Sequence, residues 1–441
     1  MMTALELRLR QALQSWRAAP AWRVAFSGGL DSSVLLHVLA DWARREDLPP
    51  ISAIHVHHGL QPAANAWPAH CASVCEQLGI PLDVARVQVT PGASLEQAAR
   101  RSRYQAFSER LSAGDVLLSA QHRDDQAETL LFRVLRGAGV RGLAVMPASR
   151  PLGQGSLVRP LLDCSRAELQ AYAQSHGLAW IEDPSNADER FSRNFLRRQV
   201  MPLLAERWPQ ASNSLARSAS HLSEAQQLLD ELAEMDLLGA RGVSACPWLP
   251  LPSLDLSAVT ALSDARQRNL LRHWLAPLSR MPDSDHWAGW CDLRDAGLDA
   301  APVWRLADGE LHRADGRLWW LSGEWLQPLD AIDLPCGAFP ESVELPGNGR
   351  VHLLGELPQG RWHLRYRQGG ESLLVPGRGR RDLKRLLNEL RVPAFVRPRL
   401  PLLFDGDELM AVANLSQSSE IEACGARLYW SPPIGAQGLS W

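Results

Sequence analysis

The stretch VAFSGGLDSSVLL, from Val24 to Leu36, most constrains what this chain of 441 residues can fold into. An apolar run leads into two glycines, an aspartate and three serines, and a second apolar run follows. Paired glycines can turn the chain tightly and expose backbone N–H groups, and a helix that starts directly after them points its positive end at the loop. The stretch therefore predicts a strand, an anion-binding loop and a helix.

Short apolar runs alternate with amphipathic segments over the first 200 residues. This pattern predicts strands and helices. The strands are expected at 21–26, 51–56, 82–89 and 115–120, and the helices at 31–45, 66–79, 94–112 and 124–136. Such alternation is typical of an α/β fold with a doubly wound, mostly parallel sheet, in which ligands bind where strands end and helices begin.

Changes in composition predict four parts of the chain. A long helical segment at about 213–240 leads into a Pro-rich break, which places the first boundary near residue 215. We expect a catalytic α/β domain at 1–215, a mainly helical middle domain at 216–330, a linker at 331–360 and a small, basic α+β domain at 361–441.

Composition excludes several classes of protein. The only lysine is Lys384, so the glycine loop lacks the lysine that a Walker P-loop needs. Nucleotide-binding folds of the Walker class are therefore disfavoured. Seven scattered cysteines without a Cys-x-x-Cys pair indicate reduced thiols in a cytoplasmic protein. No apolar run is long enough to span a membrane, and no signal peptide is expected. The 17 tryptophans are expected in the cores of several domains.

Asp31 gives the glycine loop its chemical character. A carboxylate beside phosphates is repulsive unless a divalent cation lies between them, so the loop predicts a nucleotide together with Mg²⁺ held by Asp31. The alternative is an ordinary glycine turn with a polar helix cap. The predicted nucleotide-binding residues are Ser27, Gly28, Gly29, Leu30, Asp31 and Ser32.

The sequence Ser27-Gly28-Gly29-Leu30-Asp31-Ser32 resembles the SGGxDS pyrophosphate loop (PP-loop) of the N-type ATP pyrophosphatases. The resemblance implies that ATP is bound and cleaved to AMP and pyrophosphate. The loop alone does not choose among synthetases of amides, guanine nucleotides, NAD or modified tRNA.

Three further stretches resemble one branch of that family, the tRNA(Ile)-lysidine synthetases. The first is HVHHGLQ at 55–61, where the resemblance implies that His55, His57 and Gly59 border the adenine pocket. A zinc site is disfavoured because acidic partners at ligand spacing are missing. The alternative is a polar loop at the edge of the sheet.

The second stretch is LLSAQHRDDQAETLLFRVLRGAGVRGL at 117–143. Asp125 and Glu128 lie three residues apart on a helix that follows a strand, so their carboxylates share one face toward the nucleotide crevice. They could hold Mg²⁺ or accept a proton from an incoming amine. The alternative is that the helix dipole alone attracts acids to this end. Gln121 stands where many relatives have His, which leaves the role of His122 open.

The third stretch is EDPSNADERFSRNFLRRQVMPLL at 182–204, which carries Arg193, Arg197 and Arg198 on one helix. The resemblance implies that Arg193 reaches the reaction centre, and ARRSRYQAF adds Arg101 as a similar candidate. The alternative for either arginine is a solvated helix face.

The C-terminal region is strongly basic. Residues 361–399 contain eleven Lys or Arg against three acids, in a chain of net charge −3. Such a concentration predicts contacts with the phosphates of a long polyanion, and it also resembles the family's C-terminal pattern. The alternative is a solvated basic surface.

Together the stretches imply a ligase that joins free L-lysine to C2 of the wobble cytidine in the isoleucine tRNA with a CAU anticodon, with ATP and Mg²⁺ as cofactors. The predicted catalytic residues are Asp31, Asp125, Glu128, Arg101 and Arg193. Two alternatives stay open: a tRNA thiolase, which needs catalytic cysteines, and an RNA-binding protein with a regulatory ATP site. The oligomeric state is also open, with a homodimer as one alternative.

Overall fold

The computed structural model describes residues 3–89, 95–280, 284–297, 300–335 and 342–434. Contacts divide the chain into two compact units, Met1–Leu228 and Leu229–Trp441. The division falls within a long helix, and the four-part division expected from the sequence stays a prediction. No helix in the described ranges is both long and apolar enough to cross a lipid bilayer.

The first unit combines a six-stranded sheet with helices. Its helices are α1 (Ala4–Leu13), α2 (Leu30–Ala43), α3 (Trp67–Leu78), α4 (Leu95–Ser108), α5 (Arg123–Val134), α6 (Val140–Leu143), α7 (Arg166–Ser175), α8 (Ser192–Phe195), α9 (Met201–Arg207) and the first part of α10 (Ala211–Ala240). One π-helical turn, Leu196–Val200, joins α8 to α9. The strands are β1 (Trp22–Ala25), β2 (Ile51–His57), β3 (Leu82–Arg86), β4 (Val116–Leu118), β5 (Ser149–Leu152) and β6 (Gly155–Val158).

The order of strands in the first sheet places the site. It runs β3-β2-β1-β4-β6-β5, and every pair is parallel except β5 with β6. The connections from β1 to β2 and from β3 to β4 leave in opposite directions, so a crevice opens beyond the ends of β1 and β4. The predicted α/β fold is thereby confirmed, as are the strands and helices predicted for this unit. Residue 94, the first of one predicted helix, lies outside the described residues.

The second unit begins with helices around a small antiparallel sheet. It contains β7 (Ser253–Asp255), α11 (Leu256–Thr260), α12 (Asp264–Leu275), α13 (Ala288–Asp295), β8 (Val303–Leu306), β9 (Gly309–Ala314) and β10 (Arg317–Leu321). The sheet order is β7-β10-β9-β8. The Trp-rich run at 317–321 forms β10, which is buried along its whole length.

The rest of the second unit is rich in strands. Its elements are β11 (Asp333–Pro335), β12 (Ser342–Glu344), β13 (Arg350–Leu354), β14 (Trp362–Tyr366), β15 (Ser372–Val375), β16 (Gly379–Asp382), α14 (Leu383–Glu389), β17 (Pro401–Asp405), β18 (Glu408–Val412), β19 (Ser416–Gln417), α15 (Ser419–Ala423) and β20 (Arg427–Ser431). They form one seven-stranded sheet and a three-stranded sheet, β12-β13-β20.

The segment 331–360, expected to be a linker, carries β11, β12 and β13, which pair in these sheets. Its glycines serve a turn, since Gly347 and Gly349 adopt φ of 64° and 71° between β12 and β13. The Pro and Gly residues of this segment disfavour a helix, but they do not prevent short strands from forming.

Most of the described tryptophans fill cores, as expected from composition, whereas Trp208 is 59% exposed. Buried members occur in the hydrophobic cores of both units, and they are Trp22, Trp42, Trp274, Trp287, Trp290, Trp304, Trp319, Trp320, Trp325, Trp362 and Trp430.

Candidate active site

The glycine loop follows β1 and is held against the segment before the DPSN motif. Gly28 has φ of 81°, a conformation that suits glycine, and its carbonyl accepts a hydrogen bond from the Ile181 N–H at 2.8 Å. A Cβ at Gly28 would lie 2.7 Å from Ile181 Cδ1 and 3.0 Å from Cys71 Sγ. The backbone conformation favours glycine here, and a larger residue would also have to displace the Ile181 side chain.

Two serines stiffen the loop from inside. Ser32 is buried, and its hydroxyl donates to the Gly29 carbonyl at 3.0 Å and lies 3.0 Å from Ser27 Oγ. The Gly29 N–H donates to Ser27 Oγ at 3.3 Å. Gly29 is also the N-cap of α2, and no side chain caps that helix end. Uncapped N–H groups of a helix first turn are the groups that bind phosphate.

Asp31 follows the glycine loop, and one of its carboxylate oxygens is not hydrogen-bonded to any described residue. Its Oδ1 is buried and has no hydrogen-bond partner among the described residues, and burial raises the pKa of its carboxyl. A buried carboxylate oxygen beside a phosphate cradle fits a divalent cation. Across the part of the chain that the structure describes, no group of three His, Cys, Asp or Glu side chains could hold a metal ion by itself.

His122 connects the glycine loop to α5. It is 1% exposed and forms a capping box with Asp125, in which the Asp125 N–H donates to His122 Nδ1 at 3.3 Å and the His122 N–H donates to Asp125 Oδ2 at 3.1 Å. Because Nδ1 accepts, the neutral ring carries its proton on Nε2. Nε2 lies 3.7 Å from Asp31 Oδ2 and 3.6 Å from Asp125 Oδ2. The histidine whose role the sequence left open thus lies between both predicted acids.

Two arginines bind Asp125 and Glu128 of α5. Arg197 donates from Nε to Glu128 Oε1 at 2.7 Å and from Nη2 to Glu128 Oε2 at 2.8 Å and Asp125 Oδ1 at 3.0 Å. Arg193 Nη2 also donates to Asp125 Oδ1 at 3.0 Å. Burial by itself raises the pKa of Asp125, but its interactions with His122, Arg193 and Arg197 outweigh burial, so that pKa is lowered. Asp125 is therefore ionised at neutral pH.

A cavity of about 880 Å³ joins these parts. The predicted residues that line it are Ser27, Gly29, Leu30, Asp31, Ser32, His55 and Asp125. A second cavity, of about 550 Å³, is lined by Asp125 and also by Arg193. The predicted residues that line neither cavity are Gly28, His57, Gly59, Arg101 and Glu128. Gly28 still shapes the loop, and Glu128 is bound to Arg197, which lines both cavities.

Arg101 lies on α4 beside the residues that do reach the cavities. Arg100 and Arg103 line both of them, whereas Arg101 lines neither. Helical spacing puts Arg100, Arg103 and the buried Phe107 on one face of α4. Arg101 is one residue after Arg100 and therefore lies off that face. That periodicity was the signal available for choosing between the three arginines. His58 also lines both cavities, and it belongs to the stretch from His55 to Gly59 that the sequence predicts at the adenine pocket.

The cysteines of the first unit are unsuited to nucleophilic chemistry. Burial raises the pKa of Cys71 to about 12 and those of Cys75 and Cys164 to about 11. Such thiols stay protonated at neutral pH, and the thiolate is the reactive form. A thiolase mechanism through these three cysteines is disfavoured.

The substitution Gly28→Ala is expected to impair ATP use more than tRNA binding. The added Cβ is strained at φ of 81° and collides with Ile181, at a cost of about 1–3 kcal/mol for such backbone strain. We expect KM for ATP to rise about tenfold, which is the equivalent of about 1.4 kcal/mol. Gly79→Ala is a control for the backbone effect, because Gly79 also has positive φ but lies outside both cavities. Equal KM values for both variants would contradict the role of Gly28.

Three protein-family models match separate parts of the chain. Residues 1–204 match the PP-loop domain, residues 254–319 the TilS substrate binding domain, and residues 362–430 the TilS substrate C-terminal domain.

Curated proteins similar to this chain carry one name. The tRNA(Ile)-lysidine synthase of Pseudomonas fluorescens is 63% identical over 99% of this chain and 98% of its own length. That of Pseudomonas aeruginosa is 62% identical over 99% of both chains. That of Escherichia coli O157:H7 is 41% identical over 89% of this chain and 91% of its own length. Similarity thus extends over nearly the whole chain.

Proposed function

The chain belongs to the tRNA(Ile)-lysidine synthase family, and on that premise we propose that it joins free L-lysine to C2 of the wobble cytidine in the CAU-anticodon isoleucine tRNA. ATP is cleaved to AMP and pyrophosphate in the same reaction. One observation carries the proposal within the structure: the glycine loop after β1 and Asp125 after β4 line a single cavity. We place the reaction in the cytoplasm, where tRNA is used.

The first step is adenylation of the tRNA. The cytosine O2 attacks the α-phosphorus of ATP, the bond from that phosphorus to the bridging oxygen breaks, and pyrophosphate leaves. The N–H groups in the first turn of α2, which no side chain caps, can bind the departing charge. Mg²⁺, when bound at Asp31, would neutralise phosphate charge.

The second step forms the C–N bond. The ε-amine of lysine attacks C2, the bond from C2 to the adenylated oxygen breaks, and AMP leaves with that oxygen. The ammonium group, with a free pKa of about 10.4, must first lose a proton. We assign the binding of this ammonium and the removal of its proton to Asp125, because Asp125 lines both cavities and is ionised.

Glu128 and Arg193 receive different roles in this proposal. Glu128 is 3% exposed, is bound by Arg197 through both oxygens and, unlike Asp125, lines neither cavity. We therefore assign Glu128 to positioning Arg197. Arg193 and Arg197 stand next to Asp125 and are placed to bind the phosphate of the adenylated intermediate.

The basic C-terminal region supports tRNA binding through part of its charge. Arg399 is buried and donates to the backbone carbonyls of Gly347, Glu324, Trp325 and Gln327, so it serves the fold. Arg381, Lys384 and Arg385 are exposed and form none of the ion pairs found among the described residues. We propose that these three side chains contact tRNA phosphates.

Release of AMP tests the proposal against both alternatives. With tRNA, ATP and lysine present, we expect AMP and pyrophosphate in equal amounts, and omission of lysine should stop AMP release. A thiolase would require a sulfur donor instead of lysine, and a protein with a regulatory ATP site would bind tRNA without producing AMP. Either result would reject the proposed function.

A further inference from the structure

The second cavity contains two large apolar side chains that face its open space. Leu60 and Phe191 both line it and are 41% and 43% exposed. Neither lines the first cavity, which holds the glycine loop. Single exposed apolar residues are common on protein surfaces, but two of them in one otherwise polar cavity form a surface on which a flat group can stack.

The two cavities meet at the acids and arginines of the site. Asp125, Arg197 and Gln121 line both of them. A group in the second cavity is therefore next to the position where the α-phosphate of ATP and the amine of lysine must meet. The charge around the second cavity is positive, because Arg100, Arg103 and Arg193 also line it. This favours an occupant attached to phosphate.

The proposed reaction requires such an occupant. The cytosine O2 must reach the α-phosphorus, and a base inside an RNA loop can do so only if it leaves its stack. Proteins that bind bases splayed out from RNA loops stack them on aromatic side chains. We assign the adenine of ATP to the first cavity, since the proposed function binds its phosphates at the glycine loop and its pocket is expected at the end of β2, near His55, which lines that cavity.

We propose that Phe191 is a positioning residue for the tRNA substrate: the target cytosine leaves the anticodon loop, enters the second cavity and stacks on the Phe191 ring, with Leu60 as the other apolar contact. This inference rests on the proposed function. It adds a residue that neither the glycine loop nor the acids of α5 reveal.

The chain offers a matched control for this residue. Phe195 lies one helical turn after Phe191, is 47% exposed and lines neither cavity. The Phe195 N–H donates to the Phe191 carbonyl at 3.1 Å, so the two residues share the same local backbone. Truncation of either ring removes a similar exposed apolar surface, and only one of the two rings faces the cavity.

The test compares Phe191→Ala, Phe191→Tyr and Phe195→Ala in the full-length protein. Loss of base stacking costs about 1–3 kcal/mol, so kcat/KM for tRNA should fall about 5- to 150-fold in Phe191→Ala. Phe191→Tyr should retain most of the activity, and Phe195→Ala should match the unsubstituted protein. Pyrrolo-cytidine at the wobble position should be quenched on binding to the unsubstituted protein and to Phe195→Ala, but not to Phe191→Ala.

Three results would overturn the inference. Equal kcat/KM and equal quenching in both alanine variants would show that Phe191 does not hold the base. A rise in KM for lysine alone would place the lysine side chain on the ring instead. If the unsubstituted protein does not modify the tRNA at all, the proposed function itself fails, and this result is distinct from the other two.

Discussion

Asp125→Asn is expected to lower the rate of AMP release by about 10²- to 10⁴-fold, the usual contribution of a positioned general base. Asparagine keeps the shape of the side chain and can still accept from Arg193 and Arg197, but it cannot take a proton from the lysine ammonium. The adenylation step needs no such proton transfer, so pyrophosphate release in a single turnover without lysine should be reduced much less than AMP release.

The neighbouring acid is the control for this substitution. Asp124 is in the same turn of α5, accepts from the Arg166 N–H at 2.8 Å and lines neither cavity. Asp124→Asn keeps an acceptor for that N–H, so its rate of AMP release should change little. An equal loss in the two variants, or an equal loss of both steps in Asp125→Asn, would contradict the assignment of the proton acceptor.

Arg197→Ala is expected to destabilise the protein by about 3 kcal/mol, the lower end of the usual cost of removing one partner of a buried pair. Glu128 is 3% exposed and loses both of its short contacts, so its charge remains buried with only the longer Arg193 contact at 3.5 Å. The free energy of unfolding in urea measures the loss.

Two further variants show whether the buried charge causes the loss. Arg198 pairs with Glu189 at 3.4 Å, with side chains 48% and 38% exposed, so Arg198→Ala should change the free energy of unfolding by no more than about 0.5 kcal/mol. Adding Glu128→Gln to Arg197→Ala removes the buried charge and should recover part of the stability. If Arg197→Ala is as stable as Arg198→Ala, the pair is not a structural requirement.

The glycine loop and the helices around it could be predicted because their signals are local. SGGLDSS lies within one strand–loop–helix unit, and α5 begins at a capping box whose two members are three residues apart. The alternation of strands and helices also sufficed for the α/β class, since parallel strands need crossover connections of this length.

The partners of the acids could not be predicted in the same way. Glu128 and Arg197 are separated by 69 positions in the sequence, and only folding brings the π-helical turn after α8 onto α5. The spacing of Asp125 and Glu128 on α5 predicted that they share one face. It did not predict that Arg197 forms hydrogen bonds with both oxygens of Glu128. A run of basic residues does not show which arginine of α4 faces the site, and Arg101 was chosen from such a run. The buried Phe107 defines which face of α4 points inward. The strands at 331–360 depend on pairing with distant strands, as β13 does with β20.

The most direct measurement of the central claim is mass spectrometry of the CAU-anticodon isoleucine tRNA after incubation with the protein, ATP and isotope-labelled lysine. We predict that one labelled lysine is attached to the wobble cytidine, in amounts that match the AMP released. Unmodified tRNA, or label at another nucleotide, would contradict the account.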